Sequence, residues 1–267
     1  MRFFSLLFLF SSLLLSLEVK PFKLSQKEAL AIAQKVWKNE GGDDRYLIWW
    51  NKGEDFASVG IGHFIWFPPH HTERFEEMFP QVLRFMKQEG VVFPAWLKVE
   101  SDFPWRSKEA LFRAKRENSP RYKALFHFLK RTMPHQADFM VYRLLKALPK
   151  MQKALSFEGE RKKLEEAFYG MVYLPNGDID IHGLYLLLDY VNFKGEGVRK
   201  QERYNGKGWG LLQLLMCMDR ENKNKYRAFS EAGKYLLHRR IQNAPPQRGE
   251  GRWRRGWDRR LEGYLKP

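Results

Sequence analysis

Cysteine and acidic side chains are scarce in this sequence. Cys217 is the single cysteine among 267 residues. It cannot form an intramolecular disulfide, which excludes the class of small secreted domains held together by disulfides. Because it lies in the apolar run 211–218, it is expected to be a small core residue. The chain has 31 acidic residues against 47 Lys and Arg, and its formal net charge of +16 predicts a polyanionic partner.

Repeats, low-complexity tracts and flexible linkers are also missing from the sequence. There is no Gly-x4-Gly-Lys-Ser/Thr motif, so no phosphate-binding loop is predicted. His70 and His71 are adjacent but have no third ligand at a characteristic spacing, so we expect neither a metal site nor an organic cofactor. Hydrophobic residues make up 44% and aromatic residues 15%, which favours one large folded domain over residues 18–267.

The N-terminus combines Met1-Arg2 with an apolar stretch over residues 3–17. A short positive region before an apolar run of this length is typical of a signal peptide, and the run is too short to span a membrane comfortably. We therefore expect residues 1–17 to be a signal peptide and the protein to be exported, periplasmic or secreted. An uncleaved anchor is the alternative. Export argues against nucleic acid as the polyanion, and leaves an anionic membrane face or an acidic wall polymer.

Helical periodicity dominates the sequence. Ser25 and Glu28 form a capping box that begins the first helix, Gly41-Gly42 ends it, and Glu40 lies in its last turn. Apolar spacing and proline or glycine breaks, Pro149 among them, predict the later helices. These cover residues 73–89, 107–116, 121–131, 135–148, 160–170, 182–193, 208–219 and 224–242. The fold class expected is α+β, mostly α-helical.

Two short aromatic-rich strands are predicted at residues 46–50 and 64–67, after the first helix. A polar turn at residues 51–55 and the run Gly60-Ile61-Gly62-His63 lie between them. Glycoside cleavage needs an acid on a rigid element and a second group that positions water or stabilises the cation. Glu40 is a candidate for the acid, and Glu54 or Ser58 for the second group.

This order of elements resembles the catalytic lobe of phage-type lysozymes. In that family a helix-end Glu is the general acid, and a hydroxyl residue stands two positions before Gly-Ile-Gly-His. Glu40 matches the acid and Ser58 the hydroxyl residue. The hairpin Asp of the family has no clear counterpart, and Glu54 lies just beyond its place. The resemblance covers residues 36–67 and implies a lysozyme-like fold with a small β-hairpin lobe and a larger helical lobe.

A second resemblance lies further along the chain. The segment 209–213, Trp-Gly-Leu-Leu-Gln, is similar to the Gly-Leu-Met-Gln segment that lines the cleft of lytic transglycosylases. In those enzymes the catalytic Glu precedes that segment by a comparable distance. Glu196, between Gly195 and Gly197, is therefore the rival of Glu40, and Gln213 becomes a candidate substrate-binding residue. Both acids could line one cleft from opposite lobes.

The function expected from these resemblances is cleavage of the β-1,4 glycan strands of peptidoglycan, as a hydrolase or a lytic transglycosylase. Trp50 and Trp66 would hold sugars, and His63 would lie near the site as a structural or substrate-binding residue. Another glycan such as chitin is an alternative, whereas cationic chitosan would be repelled by so basic a protein. A further alternative is a non-catalytic protein that binds the wall or another polyanion.

The C-terminal tail, residues 247–267, carries six arginines around Trp253 and Trp257. The two tryptophans are four positions apart and would share one helix face. One interpretation is a last helix docked by its tryptophans, with the arginines in solvent. The other is a basic surface that contacts a polyanion or a membrane surface.

Overall fold

The computed structural model describes residues 24–39, 42–69 and 76–266. The expected signal peptide, Glu40, His70 and His71 lie outside these residues. Within the described ranges, no helix is both long and apolar enough to cross a membrane.

Ten α-helices make up most of the described chain, which confirms the mostly helical α+β class. They are α1 (Gln26–Asn39), α2 (Phe79–Gln88), α3 (Lys108–Arg116), α4 (Pro120–Arg131), α5 (Met133–Lys153), α6 (Glu158–Val172), α7 (Ile181–Lys194), α8 (Leu211–Cys217), α9 (Lys225–Asn243) and α10 (Arg254–Gly263).

In the described ranges, five short strands form two antiparallel sheets. The first has the order β1 (Ile48–Trp49), β2 (Ala57–Val59) and β3 (Phe64–Trp66), and the second is a hairpin of β4 (Arg203–Tyr204) and β5 (Lys207–Gly208). The two strands predicted from the sequence therefore do not pair with each other. Each pairs with β2, which was not predicted as a strand.

The capping box that begins α1 is confirmed. The backbone N–H of Ser25 donates to the Glu28 carboxylate at 2.7 Å, and the N–H of Glu28 donates to Ser25 Oγ at 3.3 Å. These bonds satisfy backbone donors that the first helical turn leaves free. Gly42 has a positive φ of 60°, and its N–H donates to the carbonyl of Trp37 at 2.9 Å, as expected beyond a helix end.

Helix α7 forms the centre of the core. Ten of its fourteen residues are buried, and it contacts α1, α5, α6 and α8. A helix that is apolar on nearly all sides has to be enclosed by neighbours. The chain that leaves α7 therefore emerges from the middle of the helical body, and Glu196 is the second residue beyond its end.

Three predicted helix limits differ from the structure by three residues or more. Helix α2 begins at Phe79, not at residue 73, with Pro80 in its first turn, where a missing N–H costs nothing. Helix α8 begins at Leu211 and not at residue 208. Pro149 does not end α5, which continues to Lys153 because Met151 and Gln152 beyond the proline are buried in the core.

Cys217 is exposed at the end of α8, not buried as expected, because its side chain lies on the outer face of that short helix. Trp257 docks α10 with 8% of its surface exposed, and Trp253 packs on it with ring centroids 5.8 Å apart. This is the docked-helix interpretation of the tail; contact with a membrane surface stays a prediction.

Candidate functional site

A cleft of about 310 Å³ opens between the three-stranded sheet, α5 and the loop that follows α7. His63 in the β2–β3 turn, Arg143 on α5 and Glu196 after α7 line it. A second cavity of about 400 Å³ adjoins it, because Glu76, Arg143, Glu196 and Arg199 line both. Glu196 therefore stands where the two spaces meet.

The loop that carries Glu196 is fixed by the first turn of α8. The N–H of Leu211 donates to the carbonyl of Gly195 at 3.0 Å, and the N–H of Leu212 donates to the carbonyl of Glu196 at 3.0 Å. The first N–H groups of a helix have no partner inside the helix, so this loop supplies their acceptors. Gly195 and Gly197 have φ values of 85° and 87°, a conformation that favours glycine.

The side chains of Gln213 and Glu202 hold the loop by hydrogen bonds to its backbone. Gln213 donates from Nε2 to the carbonyl of Gly197 at 3.0 Å and accepts from the N–H of Gly210 at 3.0 Å. Glu202 accepts from the N–H of Gly197 at 2.8 Å and from the N–H of Arg199 at 2.9 Å. Gln213 was expected to bind substrate, whereas its amide is committed on both ends to the backbone around Glu196.

The glycines of this region permit an approach that no other residue allows. A Cβ atom on Gly210 would lie 2.2 Å from the backbone nitrogen of Gly197. A Cβ atom on Gly195 would lie 1.9 Å from Glu202 Oε1, and one on Gly197 would lie 2.2 Å from Gln213 Oε1. The spacing Gly-Glu-Gly followed by Trp-Gly-Leu-Leu-Gln is thus a packing requirement for holding Glu196 in place.

Positive charge surrounds the Glu196 carboxylate. Its side chain is 16% exposed, and Lys150 Nζ lies 2.9 Å from its Oε1. On the far side of the opening, Arg199 pairs with Glu76 at 2.9 Å. The hydrogen bond from Gln81 and then the Arg199 guanidinium lower the pKa of Glu76. Glu76 is therefore a charged carboxylate that is paired with Arg199.

The turn that brings His63 to the cleft is held from inside the protein. The N–H of Gly60 donates to the carbonyl of Leu47 at 2.9 Å, and the N–H of Ile61 donates to Gln136 Oε1 at 2.8 Å. Gln136 is fully buried on α5. His63 has a φ of 46°, which a non-glycine residue adopts rarely and mostly where the surroundings enforce it.

Glu54 and Ser58 do not line this cleft. Glu54 is exposed in the β1–β2 connection, where its Oε2 accepts from Asn51 Nδ2 at 2.9 Å. That connection lies at the opposite end of β2 from the turn that carries His63. Ser58 is buried in the middle strand, paired in register with Trp49 and Ile65. Neither side chain therefore lies beside Glu196 in this cleft.

Trp50 and Trp66 are core residues in this structure. Trp66 is fully buried, its Nε1 donates to the carbonyl of Ser101 at 2.8 Å, and its ring packs on Phe79 and Phe103. Trp50 is 5% exposed, and its Nε1 donates to a backbone carbonyl at 2.8 Å. The sugar-holding role expected for them is corrected, because neither ring presents a free face. Glu40 lies outside the described residues.

Sequence reasoning did not single out the cationic side of the site. Arg143 and Lys150 lie seven positions apart, two turns along one face of α5, and both reach the carboxylate side of the cleft. That spacing was available as a signal within a predicted helix. The spacing of these two cations indicates a site only when the position of Glu196 in the fold is also known.

Comparison with protein-family models, with curated proteins and with solved structures finds no match to this chain. Among the described residues, no group of three or more His, Cys, Asp or Glu side chains is placed to hold a metal ion. The geometry of the cleft is therefore the basis for the function proposed below.

Proposed function

We propose that this protein cleaves β-1,4 glycosidic bonds in the glycan strands of peptidoglycan, with Glu196 as the general acid. The observation that carries the proposal is the way Glu196 is held. Its carboxylate faces two joined cavities, while its backbone is fixed by α8 and flanked by two glycines in a conformation that favours glycine. A surface glutamate without a function needs no such support, whereas a general acid has to be held in a fixed position relative to its substrate.

The order of elements around Glu196 supports a lysozyme-like arrangement. A buried helix, α7, ends just before the acid, a short hairpin of β4 and β5 follows, and α8 begins with Leu-Leu-Gln. The acid that follows an apolar helix and precedes the Gly-Leu-Leu-Gln segment is the feature by which the chain resembles lytic transglycosylases. The lysozyme-like fold is part of the proposal.

The chemistry proposed uses one carboxylic acid. Glu196 donates its proton to the glycosidic oxygen, the bond from that oxygen to C1 breaks, and positive charge develops on the sugar ring. The resulting carboxylate then takes a proton from the attacking hydroxyl, which belongs either to water or to the sugar itself. The other acids of the cleft, Glu76 and Glu202, are engaged by Arg199 and by backbone N–H groups. Glu196 is itself paired with Lys150 at 2.9 Å, so the exposed Lys150 side chain has to move away from the carboxylate before Glu196 can carry the proton that it donates. A single acid that acts first as donor and then as base fits this arrangement.

The experiment is digestion of purified peptidoglycan, with the products analysed by mass. Glu196→Gln keeps the size of the side chain and removes the proton donor, so we expect at least a hundredfold loss of activity. Glu231→Gln, an exposed position on α9, is the matched control and is expected to keep full activity. Glu40→Gln is run beside them because Glu40 is the rival acid.

The outcomes separate the alternatives. Loss with Glu196→Gln alone supports the proposal, and anhydro or reducing ends in the products distinguish a transglycosylase from a hydrolase. Loss with Glu40→Gln alone assigns the acid to the other lobe. A wild-type protein that binds the wall without cutting it, while the matched assay detects a known lysozyme, makes this a wall-binding protein instead.

A further inference from the structure

Arg143 is a half-buried cation at the junction of the two cavities. It lies on α5 and lines both the cleft and the second cavity. None of the residues that the structure describes forms a hydrogen bond or salt bridge with its guanidinium. Burial lowers the pKa of this group, but an arginine keeps its charge in proteins. The guanidinium lines two cavities that open to solvent, so its N–H donors are accessible to a ligand there.

The second cavity is cationic beyond Arg143. Arg143, Lys146 and Lys150 are three and four positions apart, so they share one face of α5, and that face lines the cavity. Arg84 on α2 and Arg199 complete the cationic side chains of the lining.

Part of this charge is already neutralised inside the protein. Lys150 pairs with Glu196, and Arg199 pairs with Glu76, each at 2.9 Å. These two glutamates are the acidic residues of the lining within the described chain. Arg84, Arg143 and Lys146 are left without an acidic partner there, so the cavity has a positive surplus beside the carboxylate of Glu196.

The remaining lining of the second cavity is aromatic. Phe85 packs against Phe139 with ring centroids 5.7 Å apart and against Tyr142 at 5.5 Å. Tyr142 is 41% exposed, and Lys146 Nζ lies 4.3 Å from the centre of its ring. A lining that combines cationic side chains with a partly exposed aromatic ring suits a ligand with an anionic group on an apolar ring face. A free inorganic anion would use only the cationic side chains.

We propose that the second cavity binds a carboxylate carried by the glycan strand, with Arg143 as its bidentate partner. This inference rests on the proposed function, since the ligand is the strand that Glu196 cuts. It makes the protein selective for an acidic glycan over a neutral one with the same backbone. The carboxylate can belong to the lactyl group of the sugar or to the stem peptide attached to it.

The test measures binding without cleavage, in the Glu196→Gln background of the full chain. The first probe is peptidoglycan strands stripped of their stem peptides, which carry lactyl carboxylates. The second is the same strands with those carboxylates capped as methylamides, and the third is strands with their stem peptides intact. Arg143→Met removes the charge and Arg143→Lys keeps it without the planar fork. Arg227→Met, exposed on α9, is the matched control for net charge.

We expect Arg143→Met to weaken binding of carboxylate-bearing strands about tenfold or more, which is the scale of one charged hydrogen-bonded pair. Capped strands should bind weakly to both proteins and show no difference. Arg143→Lys should fall between, and Arg227→Met should match the parent. Stripped strands that bind as tightly as intact ones assign the lactyl group as the source, and tight binding of intact strands alone assigns the stem peptide.

Equal binding of capped and free strands overturns the inference, as does an equal effect of Arg143→Met and Arg227→Met. Should Arg143→Met lose its fold, the exposed Lys146→Met on the same helix face must show the same selective loss, in smaller degree. Failure of this inference is distinguishable from failure of the proposed function. A protein that cuts peptidoglycan but ignores capping refutes only the inference, and one that binds carboxylates through Arg143 but cuts nothing refutes only the cleavage.

Discussion

Gln213 on α8 donates a hydrogen bond from its Nε2 to the carbonyl oxygen of Gly197, at 3.0 Å. Its Oε1 accepts from the N–H of Gly210 at the same distance. One amide thus joins the loop after α7 to the start of α8. The residue that it holds is Gly197, and Glu196 comes directly before it in the sequence. An amide serves here because it offers a donor on one side and an acceptor on the other.

Gln213→Glu is expected to reduce peptidoglycan cleavage at least tenfold. A carboxylate has almost the same shape but cannot donate to Gly197, so two acceptors would face each other. The free energy of unfolding should fall by about 1–3 kcal/mol, the cost of leaving a buried acceptor without its partner. Digestion and urea denaturation measure the two effects. Gln201→Glu, exposed in a nearby turn, is the control, and equal activity of the two variants would contradict this role of Gln213.

Gly210→Ala tests the contact between backbones beneath Glu196. The φ of Gly210 is −79°, so alanine meets no conformational penalty there, and the whole effect comes from a Cβ 2.2 Å from the nitrogen of Gly197. We expect a loss of about 1–3 kcal/mol in the free energy of unfolding, typical of overpacking. Gly256→Ala in α10, where a Cβ meets nothing within 4 Å, should instead raise it by about 0.5–1 kcal/mol. Thermal denaturation of both variants measures these changes. If Gly210→Ala left the free energy of unfolding unchanged, the loop would have to adapt freely to the added methyl group.

The helices of this protein were predictable because local signals mark them. The Ser25–Glu28 capping box and the apolar spacing of α7 gave the right elements at nearly the right limits. Strand β2 was not predictable from Ala57, Ser58 and Val59, because three residues carry too little alternation to distinguish a strand from a turn. Its pairing with β1 and β3 depends on the enclosing fold.

The candidate site was predictable only in part. Glu196 and Gln213 stood out because they lie close together in sequence, within one acid-loop-helix unit. Trp66 was misassigned because an aromatic residue in a strand gives no sign of which face the core covers, and here Phe79 and Phe103 cover it. Arg143 was missed because its meaning comes from Glu76 and Glu196, 67 and 53 positions away in sequence.

Glu250 links the hairpin of β4 and β5 to the helical body. It is 2% exposed and accepts two hydrogen bonds from Arg240, at 2.7 and 2.8 Å, and one from Tyr204 of β4 at 2.8 Å. Burial by itself raises the pKa of Glu250, but the bonds from Arg240 and Tyr204 outweigh it and hold the pKa at about 2.

Glu250→Gln is therefore expected to lower the free energy of unfolding at neutral pH by about 3 kcal/mol, the scale for breaking a buried ion pair. The folded pKa lies below the unfolded value, so the stabilisation is complete above about pH 4.5 and is lost as the pH falls toward 2. The gap between wild type and variant should narrow over that window in urea denaturation. Glu117→Gln at an exposed helix end should show no such gap, and a gap that stays constant with pH would contradict the assignment.

Lys194, the last residue of α7, is a buried cation beside the ring of Trp257. It is 8% exposed, and its Nζ lies 3.5 Å from the centre of the Trp257 ring. Burial, and then the nearby charges of Arg240 and Arg260, lower the pKa of Lys194 to about 6. The ring favours the charged ammonium, but the cost of removing that ammonium from water is the larger effect.

Lys194→Met is expected to raise the free energy of unfolding at neutral pH by about 1–3 kcal/mol, because it keeps the packing and removes the buried amine. The unfolded chain binds a proton between about pH 6 and 10.5 that the folded protein releases, so wild-type stability rises with pH across that window. The advantage of the variant should thus be largest below pH 6 and should shrink toward pH 10. Denaturation at several pH values, with exposed Lys123→Met as the control, measures it. A variant less stable than wild type at pH 7 would mean that the contact with Trp257 outweighs the cost of burial.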